Sequence, residues 1–304
     1  MKIAYAFRRS IFYPYKGNSR ALPDRLVRAK LYPRVQKIGF DGIELGVDML
    51  GGASATESQV REIREEFESY GTPCVVLRGG GGATNPRNAT QNRESLMMAV
   101  EAAHWVGADI VNTTVGTPPR DPDLPGSFIG DYVSQGSSRM ASPDDFERTA
   151  SVLREAGDRA GELGLKLTVE VHQHSIADNS WSALHLLDLV DSPHVLANPD
   201  LGNIFWNYDE PEETPEDAIV ALAPRAGYWH CKNLHRVHIP ENRHSIFIRV
   251  PLSEGEIDYR FAISAMHDAG FDGYLAIEGA MEGDQLTADQ RSFDYVVGLL
   301  AELE

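Results

Sequence analysis

Short apolar runs alternate with longer amphipathic stretches along the whole chain. The runs are rich in β-branched residues and predict strands over residues 2–7, 42–45, 73–78, 109–113, 166–171, 195–198, 227–232 and 273–277. Between them, apolar positions recur every three or four residues. That spacing predicts helices over 25–38, 57–70, 91–106, 143–163, 182–190, 215–223, 259–269 and 288–303. Several helical stretches run into a glycine (Gly39, Gly71, Gly107, Gly164, Gly270), as a left-handed C-terminal cap requires. Ser142-Pro143-Asp144-Asp145 is a helix start, with a capping hydroxyl, a proline in the first turn and early negative charge.

Apolar strands separated by helices imply a parallel sheet covered on both faces, and eight such units imply closure into a single (β/α)8 barrel spanning residues 1–304. An open dinucleotide-binding sheet would need Gly-x-Gly-x-x-Gly after the first strand, where this chain has Phe7-Arg8-Arg9-Ser10. The glycine run Gly79 to Gly82 lacks a phosphate-loop lysine and is expected to be a mobile loop without chemistry. Residues 79–92, 117–142 and 234–249 read as irregular and follow strands, which puts them on the catalytic rim of a barrel.

Charge narrows the partners. With 28 Lys plus Arg against 45 Asp plus Glu, the net charge of −17 repels a phosphate backbone, so nucleic acid is not an expected partner. No apolar run reaches the ~20 residues that span a bilayer, so no membrane association is expected. The chain starts with a strand-like segment rather than an export signal. Cys74 and Cys231 sit in apolar runs far apart and suggest no disulfide framework; cytoplasm is the expected compartment.

The later strands close in polar residues of one chemical kind. Strand five ends Glu170-Val-His172-Gln-His174, strand six Asn198-Pro-Asp200-Leu-Gly-Asn203, strand seven His230-Cys-Lys232-Asn-Leu-His235-Arg236, and strand eight Ile277-Glu278. In a parallel barrel these four strand ends lie side by side on one rim. Glu170, Asp200, His230 and Glu278 can then converge as three oxygen donors and one imidazole, a divalent-metal set; Mn²⁺ is the first expectation, with Mg²⁺, Co²⁺ or Zn²⁺ possible. Without a cation the three carboxylates could not all stay ionised together.

These motifs resemble the sugar phosphate isomerase/epimerase family of the xylose-isomerase-like barrels. The resemblance runs from Lys2-Ile-Ala-Tyr-Ala-Phe7 and Asp41-Gly-Ile-Glu44-Leu45, through Pro251-Leu-Ser-Glu-Gly255-Glu-Ile-Asp258, to Gly270-Phe-Asp-Gly-Tyr-Leu-Ala-Ile-Glu278. It implies one divalent ion held by Glu170, Asp200, His230 and Glu278. It also implies substrate contact by Arg236, six residues beyond His230, as in the ketose epimerase branch. Two positions depart from the family. Asn203 stands where Asp-x-x-His would put an imidazole, and Ile176 where the epimerase branch has a second Glu. Glu170-Val-His172 also resembles a Glu-x-His of deglycosidase catalytic subunits that act on 3-oxo-C-glycosides, and it puts an imidazole on the metal-ligand side of the strand.

The expected chemistry is proton abstraction next to a carbonyl through an enediolate, an isomerase or epimerase reaction. Glu170 and Glu278 are its expected proton-transfer pair and His172 an additional acid or base. Asn203, Lys232 and Arg236 are expected to orient the sugar. The alternative is a lyase or dehydratase that expels a leaving group from a 3-oxo-sugar or 3-oxo-glycoside after the same first step. Abasic-site endonucleases share the barrel but need a basic face and a His-rich three-metal site, neither of which this chain offers. A homo-oligomer, possibly with a second subunit, is expected. Glu44, His174, His235 and Trp206 are given no assigned role.

Overall fold

The structure is a computed structural model that describes residues 1–6, 21–117, 120–121, 123–128, 130–206, 212–279 and 283–303. The segment Phe7 to Ser10 lies outside the described residues. Strands β1 (Lys2–Ala6), β2 (Gly42–Gly46), β3 (Cys74–Arg78), β4 (Ile110–Thr113), β5 (Lys166–Glu170), β6 (Val195–Asn198) and β7 (Trp229–Cys231) are joined by β10 (Tyr274–Ile277). They form one parallel eight-stranded sheet in the order β6-β5-β4-β3-β2-β1-β10-β7. The sheet closes on itself through a bridge between Ala197 and Ala226. Beyond that bridge the Asn198 side chain takes over, its Oδ1 accepting the His230 N–H at 2.7 Å. A side chain thus stitches the last seam of the barrel.

Helices α1 (Arg25–Ile38), α2 (Glu57–Ser69), α3 (Ala89–Val106), α4 (Pro143–Glu162), α5 (Ser180–Val190), α7 (Pro215–Leu222), α8 (Tyr259–Asp268) and α9 (Gln285–Leu303) cover the outside, and a short α6 (Leu201–Phe205) follows β6. Ser142 and Asp145 form a reciprocal capping box at the start of α4. The main apolar core lies between sheet and helices, with Leu45, Leu77, Leu96, Val111, Leu153, Leu167 and Val296 buried. Alternate residues of each strand point into the lumen instead. There Ala4, Val76, Ile110, Tyr228 and Ala276 form a smaller apolar cluster, and Glu44, Asn112, Thr168, Asn198 and His230 form a buried polar layer above it.

Two expectations about the rim need correction. Residues 234–249, read as irregular, contain an antiparallel ribbon of β8 (Asn233–Ile239) and β9 (His244–Val250). Its period-two pattern is broken up by histidines and arginines, and its turn ends at Arg243 in the left-handed region (φ 48°). One face carries Arg236, Phe247 and Arg249, and the other exposes Val237, Ile246 and Ile248. The glycine run, expected to be mobile, is packed. A Cβ on Gly82 would lie 2.6 Å from Val115 backbone, and one on Gly79 would lie 2.6 Å from the Val47 side chain. The glycines are there for close approach rather than looseness.

Candidate metal centre

The site starts from the pleat. Thr168 and Glu170 share one side of β5, so both face the lumen, where Asn112 on β4 ties them together. Asn112 Oδ1 accepts the Thr168 hydroxyl at 2.9 Å, and its Nδ2 donates to Glu170 Oε2 at 3.0 Å. Asp200 lies two residues past β6 and caps α6, with Oδ1 accepting the Asn203 N–H at 3.0 Å. Asn203 then turns its amide back, donating to Glu170 Oε1 at 3.1 Å and Asp200 Oδ2 at 2.9 Å. The expected substrate contact at Asn203 therefore braces two of the expected ligands.

His230 sits at the centre of β7 and is fully buried. Its Nε2 is 2.7 Å from Glu44 Oε2, which also accepts the Tyr228 hydroxyl at 2.8 Å, while Arg78 Nε donates to Glu44 Oε1 at 3.2 Å. The ring is thereby fixed with Nδ1 toward the carboxylates, 3.3 Å from Glu170 Oε2 and 3.9 Å from Asp200 Oδ2. Nδ1 is buried and makes no aligned hydrogen bond among the described residues. One ligand atom from each of Glu170, Asp200 and His230 lies within 4.8 Å of the others. An orphaned imidazole nitrogen facing two carboxylates fits a divalent cation.

The carboxylates make this a site that attracts positive charge. Burial opposes charge on His230, but Glu44 and Glu170 outweigh it and push the imidazole up to about 10. Burial would also raise Glu170, yet His230, His172 and Lys232 hold it down at about 2. Asp200 goes the other way, raised by burial despite Lys232. The Lys232 ammonium already acts as a cation here, 2.6 Å from Asp200 Oδ2 and 2.8 Å from Glu278 Oε2. Its stem is held in place by Gly202, where a Cβ would come within 2.3 Å of Lys232 Cγ.

Glu278 reaches the cluster through that ammonium, and its other oxygen accepts from Arg249 Nη1 at 3.3 Å. His172 neighbours Glu170, with Nδ1 2.7 Å from the Gln173 carbonyl. Arg236 lies on the ribbon, its guanidinium 4.8 Å from the Phe205 ring. His174 pairs with Ser134 at 2.8 Å and His235 is exposed beside Glu256. Trp206 lies under both Lys232 and Arg249, 5.9 and 5.2 Å from their charges. The sequence reading named Glu44 without a role and left out Asn112 and Arg249. Glu44 could have been found from its lumen-facing register in β2; Arg249 only from the ribbon pairing.

A buried Glu-Asp-His cluster at the carboxyl end of a parallel barrel defines the class of a barrel with a candidate metal centre. Residues 33–295 match the model of the xylose isomerase-like TIM barrels, and the chain belongs to that family. Among curated relatives, it is 23% identical over 270 residues to an L-ribulose-5-phosphate 3-epimerase of Salmonella heidelberg, covering 85% of this chain and 84% of that protein. Among solved structures, a Mycobacterium smegmatis xylose isomerase-like TIM barrel protein in complex with magnesium superposes with a TM-score of 0.77 at 22% identity, over 99% of this chain and 97% of that one. A 3-keto-D-glucoside 4-epimerase from E. coli superposes with a TM-score of 0.67 at 17% identity, covering 99% of each chain. No helix among the described residues is long and apolar enough to cross a membrane.

Proposed function

We propose that the protein is a divalent-metal-dependent sugar epimerase. The observation that carries this is the orphaned His230 Nδ1 facing the carboxylates of Glu170 and Asp200. Glu170, Asp200 and His230 would hold the ion with Glu278 as a fourth ligand, and Mn²⁺ is the metal we expect. A divalent ion in this place supplies Lewis acidity toward a carbonyl and its neighbouring hydroxyl.

The chain's own residues do the rest. One of Glu170 and Glu278, as carboxylate, takes the proton from the carbon next to the carbonyl, and the other, as carboxylic acid, delivers its own proton to the opposite face of the enediolate, which inverts that carbon and leaves the two groups with exchanged protonation. Lys232 and Arg249 hold Glu278 in place and offset negative charge that develops on the substrate oxygens. Asn203 keeps Glu170 and Asp200 in place, Arg236 orients the sugar, and His172 relays protons to its oxygens. A phosphorylated ketose is the substrate we expect, in line with the activity in the Salmonella relative's name. That relative is an epimerase by name, so elimination from a 3-oxo-sugar or 3-oxo-glycoside is not favoured. We expect a cytoplasmic enzyme that works as a homo-oligomer.

The test is incubation of Mn²⁺-loaded protein with L-ribulose 5-phosphate, D-psicose and a 3-keto-glucoside in D₂O, followed by proton NMR. Epimerisation is expected on one of them, with deuterium entering the inverted carbon. Release of a leaving group without inversion, or no exchange on any substrate, would contradict the proposal.

A further inference from the structure

Lys232, Arg249 and Glu278 share a neighbour whose side chain carries no charge. Trp206 directly follows α6, the short helix that Asp200 caps and from which Asn203 reaches back to Glu170 and Asp200. Its indole lies under the Lys232 ammonium at 5.9 Å and under the Arg249 guanidinium at 5.2 Å, measured to the ring centroid. The same two cations meet again on one carboxylate. Lys232 donates to Glu278 Oε2 at 2.8 Å and Arg249 to Glu278 Oε1 at 3.3 Å. Indole, ammonium, carboxylate and guanidinium therefore form a closed circuit.

The circuit answers a problem of charge and entropy. Two cations drawn to one carboxylate repel each other, and both side chains lose much rotamer freedom when fixed. Lys232 is anchored a second time by Asp200, at 2.6 Å. Arg249 has no such anchor: among the described residues Glu278 is its one acidic partner, and its buried Nε makes no hydrogen bond. What remains to hold the guanidinium is the face of the indole, which attracts a cation within about 6 Å. Phe247, on the same face of the ribbon as Arg249, packs against Trp206 with ring centroids 6.0 Å apart and so brings the ribbon to this point.

We propose that Trp206 is a positioning residue for Glu278. Its π face attracts both cations, keeps one on each oxygen of the carboxylate and so sets where that carboxylate points. The consequence for the reaction rests on Glu278 being one of the proton-transfer pair; the circuit itself does not. Attraction of this kind needs an aromatic face rather than bulk, which separates it from simple space filling.

The test compares Trp206→Leu with Trp206→Phe in two measurements. The first uses the metal-free, full-length protein and reads the accessibility of Lys232 by reductive methylation and mass spectrometry. Trp206→Leu is expected to raise the labelling rate of Lys232 about tenfold, and Trp206→Phe to leave it close to that of the unaltered protein. The second is epimerisation by the Mn²⁺-loaded protein: Trp206→Leu should lower kcat about tenfold with KM little changed, and Trp206→Phe should recover most of it. Trp206 is partly exposed, so both variants should keep the native circular dichroism spectrum. If the leucine variant loses it, Trp206→Gln, flat but not aromatic, takes its place in both measurements. Unchanged labelling in Trp206→Leu, or labelling in Trp206→Phe as fast as in Trp206→Leu, would overturn the circuit. Altered labelling with unchanged kcat would overturn the positioning role. An unaltered protein that protects Lys232 but turns over no sugar would contradict the proposed epimerase and leave the circuit standing.

Discussion

Glu44 lies behind His230 and receives Nε2, so the nitrogen that faces Glu170 and Asp200 is always the other one. An outer-shell carboxylate of this kind typically changes metal affinity by about 10–100-fold. Glu44→Gln is therefore expected to weaken Mn²⁺ binding by that order while the barrel still folds; calorimetry and a thermal melt measure the two separately. Unchanged affinity would show that His230 is oriented without it. Asp178 offers a stability readout away from the centre. Burial pushes its carboxyl up to about 6 from 3.8, although Ser138 donates to it. A folded-state pKa above the unfolded one favours the fold below the unfolded value, and that contribution is lost as pH rises through about 6. Between pH 4 and 7 Asp178→Asn should gain about 2 kcal/mol relative to the unaltered protein in chemical denaturation. Parallel pH profiles would contradict this. The gathering of Glu170, Asp200 and His230 was legible in the sequence, because each lies in or just beyond one of three neighbouring barrel strands. The role of Glu44 was not, because it depends on which way one residue of β2 faces and on what stands across the lumen from it.

The elements show where reading by period works and where it stops. Strands and helices that alternate cleanly were found within a few residues, since burial on both sheet faces leaves unbroken apolar runs. The β8–β9 ribbon was missed because its packed face mixes arginines with Leu234 and Phe247, while Val237, Ile246 and Ile248 are exposed on the other. Its inner side supplies Arg249 to Glu278, so this irregular-looking insertion brings a charge to the site. The glycine run was misread for a related reason: a missing side chain says nothing by itself about whether the gap is filled. Gly82→Ala checks this, because its Cβ would meet Val115 backbone at 2.6 to 2.8 Å, atoms that cannot swing aside. It is expected to lower stability by about 2–3 kcal/mol in urea unfolding. A neutral result would mean that the loop yields.

At the scale of the molecule, closure of the sheet makes the site. Strands β5, β6, β7 and β10 carry residues far apart in sequence, and the barrel brings their carboxyl ends to one rim. The acidic surface and the buried cations do not conflict. A net charge of −17 is spread over the whole chain, while Lys232 and Arg249 are concentrated next to Glu278. The account rests on a cation shared by Glu170, Asp200 and His230. Its most direct test is a Mn²⁺ titration followed by electron paramagnetic resonance, on the unaltered protein and on Glu170→Gln, Asp200→Asn. One bound ion per chain is expected in the first and none in the second, with the same circular dichroism spectrum. Stoichiometric Mn²⁺ in the double variant would contradict it.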